Sequence, residues 1–187
     1  THADMGNCSS TSNINDKSCA KVIGGYDFVN SDANPMDDHG HGTHVAGIVA
    51  STNPTYKGIA PDATIIAMKS LDSGGSGYES DIISAIDWCV NNASIFNISV
   101  ISMSLGFSGY FNTTYCDTSD NPLMVSSIHN AVARNISVTV AAGNDGHVSL
   151  GVSSPACISN TTVVGWASKS DAVDSNSQLW GLPMLLA

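Results

Sequence analysis

An α/β fold built on a mostly parallel sheet is what this sequence predicts, and three observations predict it. From residue 41 onward, apolar patterns of helical period alternate with short strand-like runs. Those runs, such as Ile98-Ser99-Val100-Ile101-Ser102-Met103, are nearly continuous in small or apolar residues, as strands covered on both faces should be. Each long helical pattern carries one apolar face, suited to lie on a sheet.

Taken in order, residues 1–40 are rich in Asn, Ser, Asp and Gly, with one strand-like stretch at 21–29 ahead of a turn at Asn34-Pro35. A small-residue helix is predicted over 43–51 and a strand over 64–69. The next helix, 81–92, has Ser80 as its expected cap, Asp81 at its positive end, and Ile82, Ile86, Cys89 and Ala93 at helical spacing. A strand at 98–103 comes next. The helix at 122–135 has Asn121 as cap, Pro122 in its first turn, and Met124, Ile128, Ala131 and Val132 on one side. Strands at 137–142 and 162–166 complete the series, and one domain over residues 1–187 is expected.

Composition limits the function. The 187 residues are 42% hydrophobic and 12% charged, which is ordinary for a globular core. No apolar run approaches the roughly 18–20 residues of a membrane helix. The net charge of −10, with six Lys and Arg against sixteen Asp and Glu, leaves no basic surface for phosphates, so neither nucleic acid nor membrane is an expected partner. The acidic excess suits solubility, with calcium binding as the alternative. The five cysteines include no C-x-x-C pair. Cys8 and Cys19 bracket a polar loop and Cys116 and Cys157 sit in loop-like sequence, whereas Cys89 falls on a helical apolar stripe; disulfides joining the first pair and the second are expected, with Cys89 free. Each loop closure would stabilise by about 3–4 kcal/mol in the chain-entropy treatment. Oxidising conditions, and hence secretion, are implied. Thr1 opens without an initiator Met or a signal-peptide core, and residues 178–187 end in apolar sequence, so the chain is expected to be cut from a longer one at both ends.

The sharpest local signal is His39-Gly40-His41-Gly42-Thr43-His44-Val45-Ala46-Gly47-Ile48-Val49-Ala50-Ser51. A histidine that acts as general base must be exposed at a cleft yet held rigidly, and the start of a helix after a glycine turn provides both. Gly42, Ala46 and Gly47 are expected to let that helix approach neighbouring backbone closely. The run from His41 to Ala50 resembles the histidine motif of the subtilisin-like serine protease family (subtilases, peptidase S8), with His41 on the catalytic histidine, His44 on a buried structural histidine and His39 on a variable neighbour. Other segments match in order. Lys69 to Gly77 resembles the strand and glycine turn that pairs with an extended substrate through Gly75, Ser76 and Gly77. Ser102 to Gly106 resembles the opposing strand, which contributes Ser104, Leu105 and Gly106. Ala141-Ala142-Gly143-Asn144-Asp145-Gly146 resembles the segment ending in the oxyanion asparagine, Asn144, with Ala142 and Gly143 lining the cleft. The stretch 154–165 resembles the segment after that asparagine in extracellular members, which supports the Cys116–Cys157 pairing, and Thr1-His2-Ala3-Asp4 resembles the end of the aspartate motif.

The resemblance implies a three-layer subtilisin-like fold, incomplete here, and a secreted, monomeric endopeptidase acting on protein or peptide substrates bound as an extended strand, with no cofactor required. Neither the catalytic aspartate nor a Gly-Thr-Ser-Met serine motif is present, so the chain as it stands is expected to be inactive. The 52–57 segment is short and poor in oxygen ligands where many relatives hold calcium, so a structural calcium is unsupported. Two rival readings are a non-catalytic binding fragment and a zinc hydrolase using His39, His41 and His44, whose spacing fits H-x-H-x-D-H except that Thr43 replaces Asp; beyond them only His2, His129 and His147 remain as histidine ligands.

Overall fold

The computed structural model describes residues 2–6, 8, 14, 16, 18–107, 112–145 and 151–166, and the backbone of 184–186. Thr1, Gly146, His147 and most of the apolar tail, 178–183 and 187, lie outside the described residues. Two compact units divide the chain at Ala85/Ile86. Among the described residues, the pairings between strands in both are parallel.

In the first unit, β1 (Val22–Asp27) pairs with β2 (Ile65–Lys69), and Asp27 lies opposite Lys69. Between them runs α1 (His41–Ala50). The lead-in is held by a Cys8–Cys19 disulfide, around which Ile14 is buried and Val22 and Met36 pack. Gly40 precedes α1 at φ 99°, a left-handed conformation that glycine adopts without steric cost. The expected close approach through Gly42 and Gly47 is not found. A Cβ on Gly47 would meet nothing within 4 Å, and one on Gly42 would meet only Asp37 Oδ2 at 3.7 Å. Gly58 makes the approach instead, its position for a Cβ lying 2.5 Å from the Ser51 nitrogen at the carboxyl end of α1.

The boundary between units falls within α2 (Glu79–Phe96), which starts two residues earlier than expected. Ser80 therefore lies in the first turn and is not the cap; the Tyr78 carbonyl accepts from the Asp81 amide. Ile82, Ile86 and Cys89 are buried as the spacing requires, while Ala93 is half-buried. The second unit contains a four-stranded sheet in the order β3 (Val100–Met103), β4 (Ser137–Ala141), β5 (Thr162–Gly165), β6 (Met184–Leu186). α3 (Pro122–Ala133) begins where the sequence places it. Asn121 Oδ1 accepts the Leu123 amide at 3.0 Å, and Pro122 occupies the first turn, where no amide is needed. Met124, Ile128 and Ala131 on α3, with Val138, Val140 and Val163 on the strands, are almost wholly buried, each larger side chain contributing about 1.5–3 kcal/mol. β3 departs from expectation. Its burial alternates, with Val100 54% exposed, so only one of its faces is covered.

Candidate active site

His41 is exposed at the first position of α1. Gly40, at the cap position, has no side chain to satisfy the free amides there. Asp37 supplies what is missing. Its Oδ1 accepts the His39 and Gly40 amides at 3.0 and 2.8 Å, and its Oδ2 accepts the Thr43 amide and hydroxyl at 2.8 and 2.6 Å. Partial burial acts to raise the Asp37 pKa, but these hydrogen bonds, led by the Thr43 hydroxyl, outweigh it and hold the carboxyl well below the usual range. The sequence reading missed Asp37. The signal was an Asp four residues before the histidine and six before Thr43, where its two oxygens reach both sides of the glycine turn.

His44, expected to be buried, is exposed. It shares with His41 and Ile48, itself 58% exposed, a face of α1 that no described residue of its unit covers.

His39 links His41 to the glycine turn. Its ring lies 6.3 Å from that of His41 in an edge-on arrangement, and its Nε2 is 3.1 Å from where a Cβ on Gly75 would stand. Gly75 has φ 75°, so the turn suits glycine twice over. Asp72 fastens the turn by accepting the Gly74 and Ser76 amides at 2.8 and 3.0 Å, and these bonds lower its pKa. Behind it, the buried Lys69 ammonium sits 3.3 Å from Asp27 and 3.5 Å from Asp38. The ion pairs thus tie β1, β2 and the residue next to Asp37 together.

In the second unit, Ser104, Leu105 and Gly106 leave the carboxyl end of β3 outside regular secondary structure, and the Phe107 amide bonds to the Ser154 carbonyl at 3.0 Å. Ala142 comes directly after β4, is 1% exposed, and hydrogen-bonds through its amide to Val164. Gly143 then turns at φ 112°, and Asn144 is exposed. Ser102, Met103, Ser104, Thr139, Ala141 and Val164 contribute to the lining of a cavity of about 140 Å³ at this end of the sheet. A larger hollow of about 400 Å³ between α2 and α3, lined by Asp87, Asn91, Asn130 and Arg134 among others, contains none of the expected site residues.

A Cys116–Cys157 disulfide closes the loop ahead of α3, and Cys89 is a free, buried thiol. Among the described residues, the one group of three potential ligand atoms within 4.8 Å of one another is Cys116, Asp120 and Cys157, and its two sulfurs are joined to each other. His39, His41 and His44 form no such group, which removes the geometric basis of the zinc reading. A Ser-His-Asp cluster unforeseen from the sequence lies nearby. His129 Nε2 is 3.2 Å from Ser159 Oγ and 3.1 Å from Asp117 Oδ1, and the Ser159 hydroxyl donates to Asp117 at 2.5 Å. One nitrogen faces both partners, so the imidazole cannot relay a proton between them, and the Ser159 proton is already committed to the carboxylate. Burial acts to raise the Asp117 pKa, and the Ser159 hydrogen bonds more than offset it. The cluster fastens α3 to the disulfide-bearing loops.

Comparison with known proteins identifies the family. The family model described as Subtilase family, peptidase S8, matches residues 1–179. Serine protease AprX of Bacillus subtilis strain 168 is 37% identical over 168 residues, covering 84% of this chain and 35% of that protein. Minor extracellular protease Epr of the same organism is 34% identical over 158 residues, covering 83% of this chain and 22% of that protein. The crystal structure of a cold adapted subtilisin-like serine proteinase superposes with a TM-score of 0.68 at 32% identity, covering 87% of this chain and 53% of the other. The chain therefore spans about a third or less of the two curated relatives and about half of the solved structure. With a match across nearly its whole length and an α/β fold of parallel strands like that of a subtilisin-like proteinase, the chain belongs to the subtilase family.

Proposed function

We propose that the protein containing these residues is a secreted serine endopeptidase and that residues 1–187 are part of its catalytic domain. The observation that carries this reading is a subtilase match over residues 1–179 in which the motif histidine, His41, stands exposed at a helix start fixed by Asp37. The match runs across both compact units, which supports treating them as one catalytic domain.

In this reading His41 takes the proton from a serine nucleophile and returns it to the leaving amine. The Asn144 side-chain amide donates to the oxygen that becomes negative as the scissile carbonyl is attacked. Gly75, Ser76 and Gly77, like Ser104, Leu105 and Gly106, pair with the backbone of a substrate bound as an added strand. Ala142 contributes backbone only, since its side chain is buried, and Gly143 leaves room for a substrate side chain. The serine and the aspartate come from sequence outside residues 1–187. Two disulfides and an extracellular relative support secretion, and the enzyme acts as a monomer. Among the described residues no helix is long and apolar enough to cross a membrane.

Replacing His41 by Ala in the complete protein tests the reading. Hydrolysis of a denatured protein substrate should fall to near background, by roughly 10⁴-fold or more. Retention of the wild-type rate would end it.

A further inference from the structure

We propose that Asn97, Asn135 and Asn160 are acceptors for N-linked sugar, set in a row at the amino ends of three neighbouring strands. Each opens an N-x-S/T sequence: Asn97-Ile98-Ser99, Asn135-Ile136-Ser137 and Asn160-Thr161-Thr162. All three are exposed or part-exposed, and all three have left-handed backbone, with φ of 54°, 60° and 68°. No other asparagine among the described residues has positive φ.

The first two end helices in the same manner. The Ile98 amide bonds to the Ala93 carbonyl at 2.9 Å and the Ile136 amide to the Ala131 carbonyl at 3.1 Å, the six-to-one bond that closes a helix over a left-handed residue. Glycine meets that requirement with less strain, and the cap itself asks for no hydroxyl two positions later. With Ser and Thr making up about a fifth of the sequence, hydroxyl residues at all three such positions would coincide by chance about once in a hundred times. The side-chain amides of these asparagines have no hydrogen-bond partner among the described residues.

Asn7 also opens such a sequence but lies outside the described residues; two other N-x-S/T asparagines among the described residues provide the contrast. Asn92 lies in the body of α2 with its Nδ2 donating to the Trp88 carbonyl at 2.8 Å. Asn112 is half-buried, its Nδ2 at 3.5 Å from Cys157 Sγ and its backbone paired with Val152. Both amides are engaged in rigid structure that a transferase cannot thread. Position also favours the three. β3, β4 and β5 are parallel neighbours in the registers Val100↔Ser137 and Thr139↔Thr162, so Asn97, Asn135 and Asn160 share the amino end of the sheet. Ser104–Gly106 and Ala142–Asn144 leave its carboxyl end. Sugar at the amino end would shield Ile95 and Val100, which are 64% and 54% exposed, and leave the carboxyl end clear.

The co-substrate is a saccharide activated as a polyprenyl pyrophosphate. The asparagine Nδ2 attacks the anomeric carbon, a carbon–nitrogen bond forms, the carbon–oxygen bond to pyrophosphate breaks, and the lipid pyrophosphate departs with the electron pair. The displaced amide proton passes to a base of the transferase. Such transfer occurs in oxidising compartments of the kind where disulfides form. The proposal goes beyond the peptidase reading and stands without it.

The test is to treat the complete protein, isolated from its own source, with peptide N-glycosidase in heavy-oxygen water and to map the asparagines converted to labelled aspartate. Labelling of two or more of Asn97, Asn135 and Asn160, with none at Asn92 or Asn112, is expected. Labelling of fewer than two, or of either contrast residue, overturns the proposal. A second measurement leaves the caps intact: the combined Ser99→Ala, Ser137→Ala and Thr162→Val variant should migrate faster on denaturing gels than the wild type at unchanged peptidase activity. Identical migration would count against the assignment.

Discussion

Asp37 holds the turn before His41 by accepting four hydrogen bonds that no other described side chain duplicates. Asp37→Asn keeps an oxygen for two of them but presents an amide nitrogen that cannot accept from Thr43. In the complete protein this should cost about 0.5–1 kcal/mol, the lower part of the range for losing a helix cap, because the carboxylate is largely exposed. If His41 is the general base, kcat should fall several-fold with KM little changed, since the loss concerns orientation and not substrate binding. The pH dependence has a definite sign. Asp37 is held below its ordinary value, so its contribution is present above about pH 4, the unfolded pKa, and is lost as the pH falls through the folded value. Wild type and variant should therefore converge in stability as the pH drops below about 4. Urea midpoints measured across that range check it, and a constant gap would show that Asp37 does not act through its charge. Cys89 gives a second prediction, since burial pushes its thiol up to about 11. A maleimide should label no described cysteine in the native protein and Cys89 alone after denaturation without reductant; labelling at Cys8, Cys19, Cys116 or Cys157 under those conditions would mean that a disulfide is absent.

Elements were legible where local chemistry alone decides them. α3 was readable because Asn121, Pro122 and the Met124–Ile128 spacing act within a few residues of one another. The start of α2 was misplaced because Ser80 is a good cap in isolation, whereas the Tyr78 carbonyl takes the first bonds. The outer face of β3 differs from expectation because a run of small and apolar residues does not reveal whether both faces of its strand are covered. His41, Asn144 and the segments 69–77 and 102–106 stand out through motif order, but Asp37 and the His129–Ser159–Asp117 cluster depend on folded geometry. Gly58 belongs to this second class. Nothing local marks it, yet an added methyl would fall 2.5–2.8 Å from the backbone of Val49, Ala50 and Ser51. Backbone atoms cannot move aside like a side-chain tip, so Gly58→Ala should destabilise the protein by about 1–3 kcal/mol. A thermal midpoint unchanged within a degree would show that the 51–58 segment relaxes freely.

The molecule as a whole raises the question of where the nucleophile lies. Subtilase chemistry requires a serine that can transfer its proton to the motif histidine. Among the described residues, one serine meets a histidine side chain within hydrogen-bond distance, and that is Ser159 with His129. It is disqualified by its own geometry, because its hydroxyl donates to Asp117 and the same Nε2 faces both groups. No Gly-x-Ser-x-Gly or Gly-Thr-Ser sequence occurs in the 187 residues, while the chain covers 35% of one curated relative and 22% of another. A fluorophosphonate should therefore label the complete protein on a serine outside residues 1–187, and His41→Ala should abolish that labelling, because the probe captures only a serine activated by its base. Ser159→Ala should leave it unchanged. Peptide mapping of the phosphonylated residue decides the matter: a tag on Ser159, or on any serine within 1–187, would relocate the active site and separate His41 from the chemistry assigned to it.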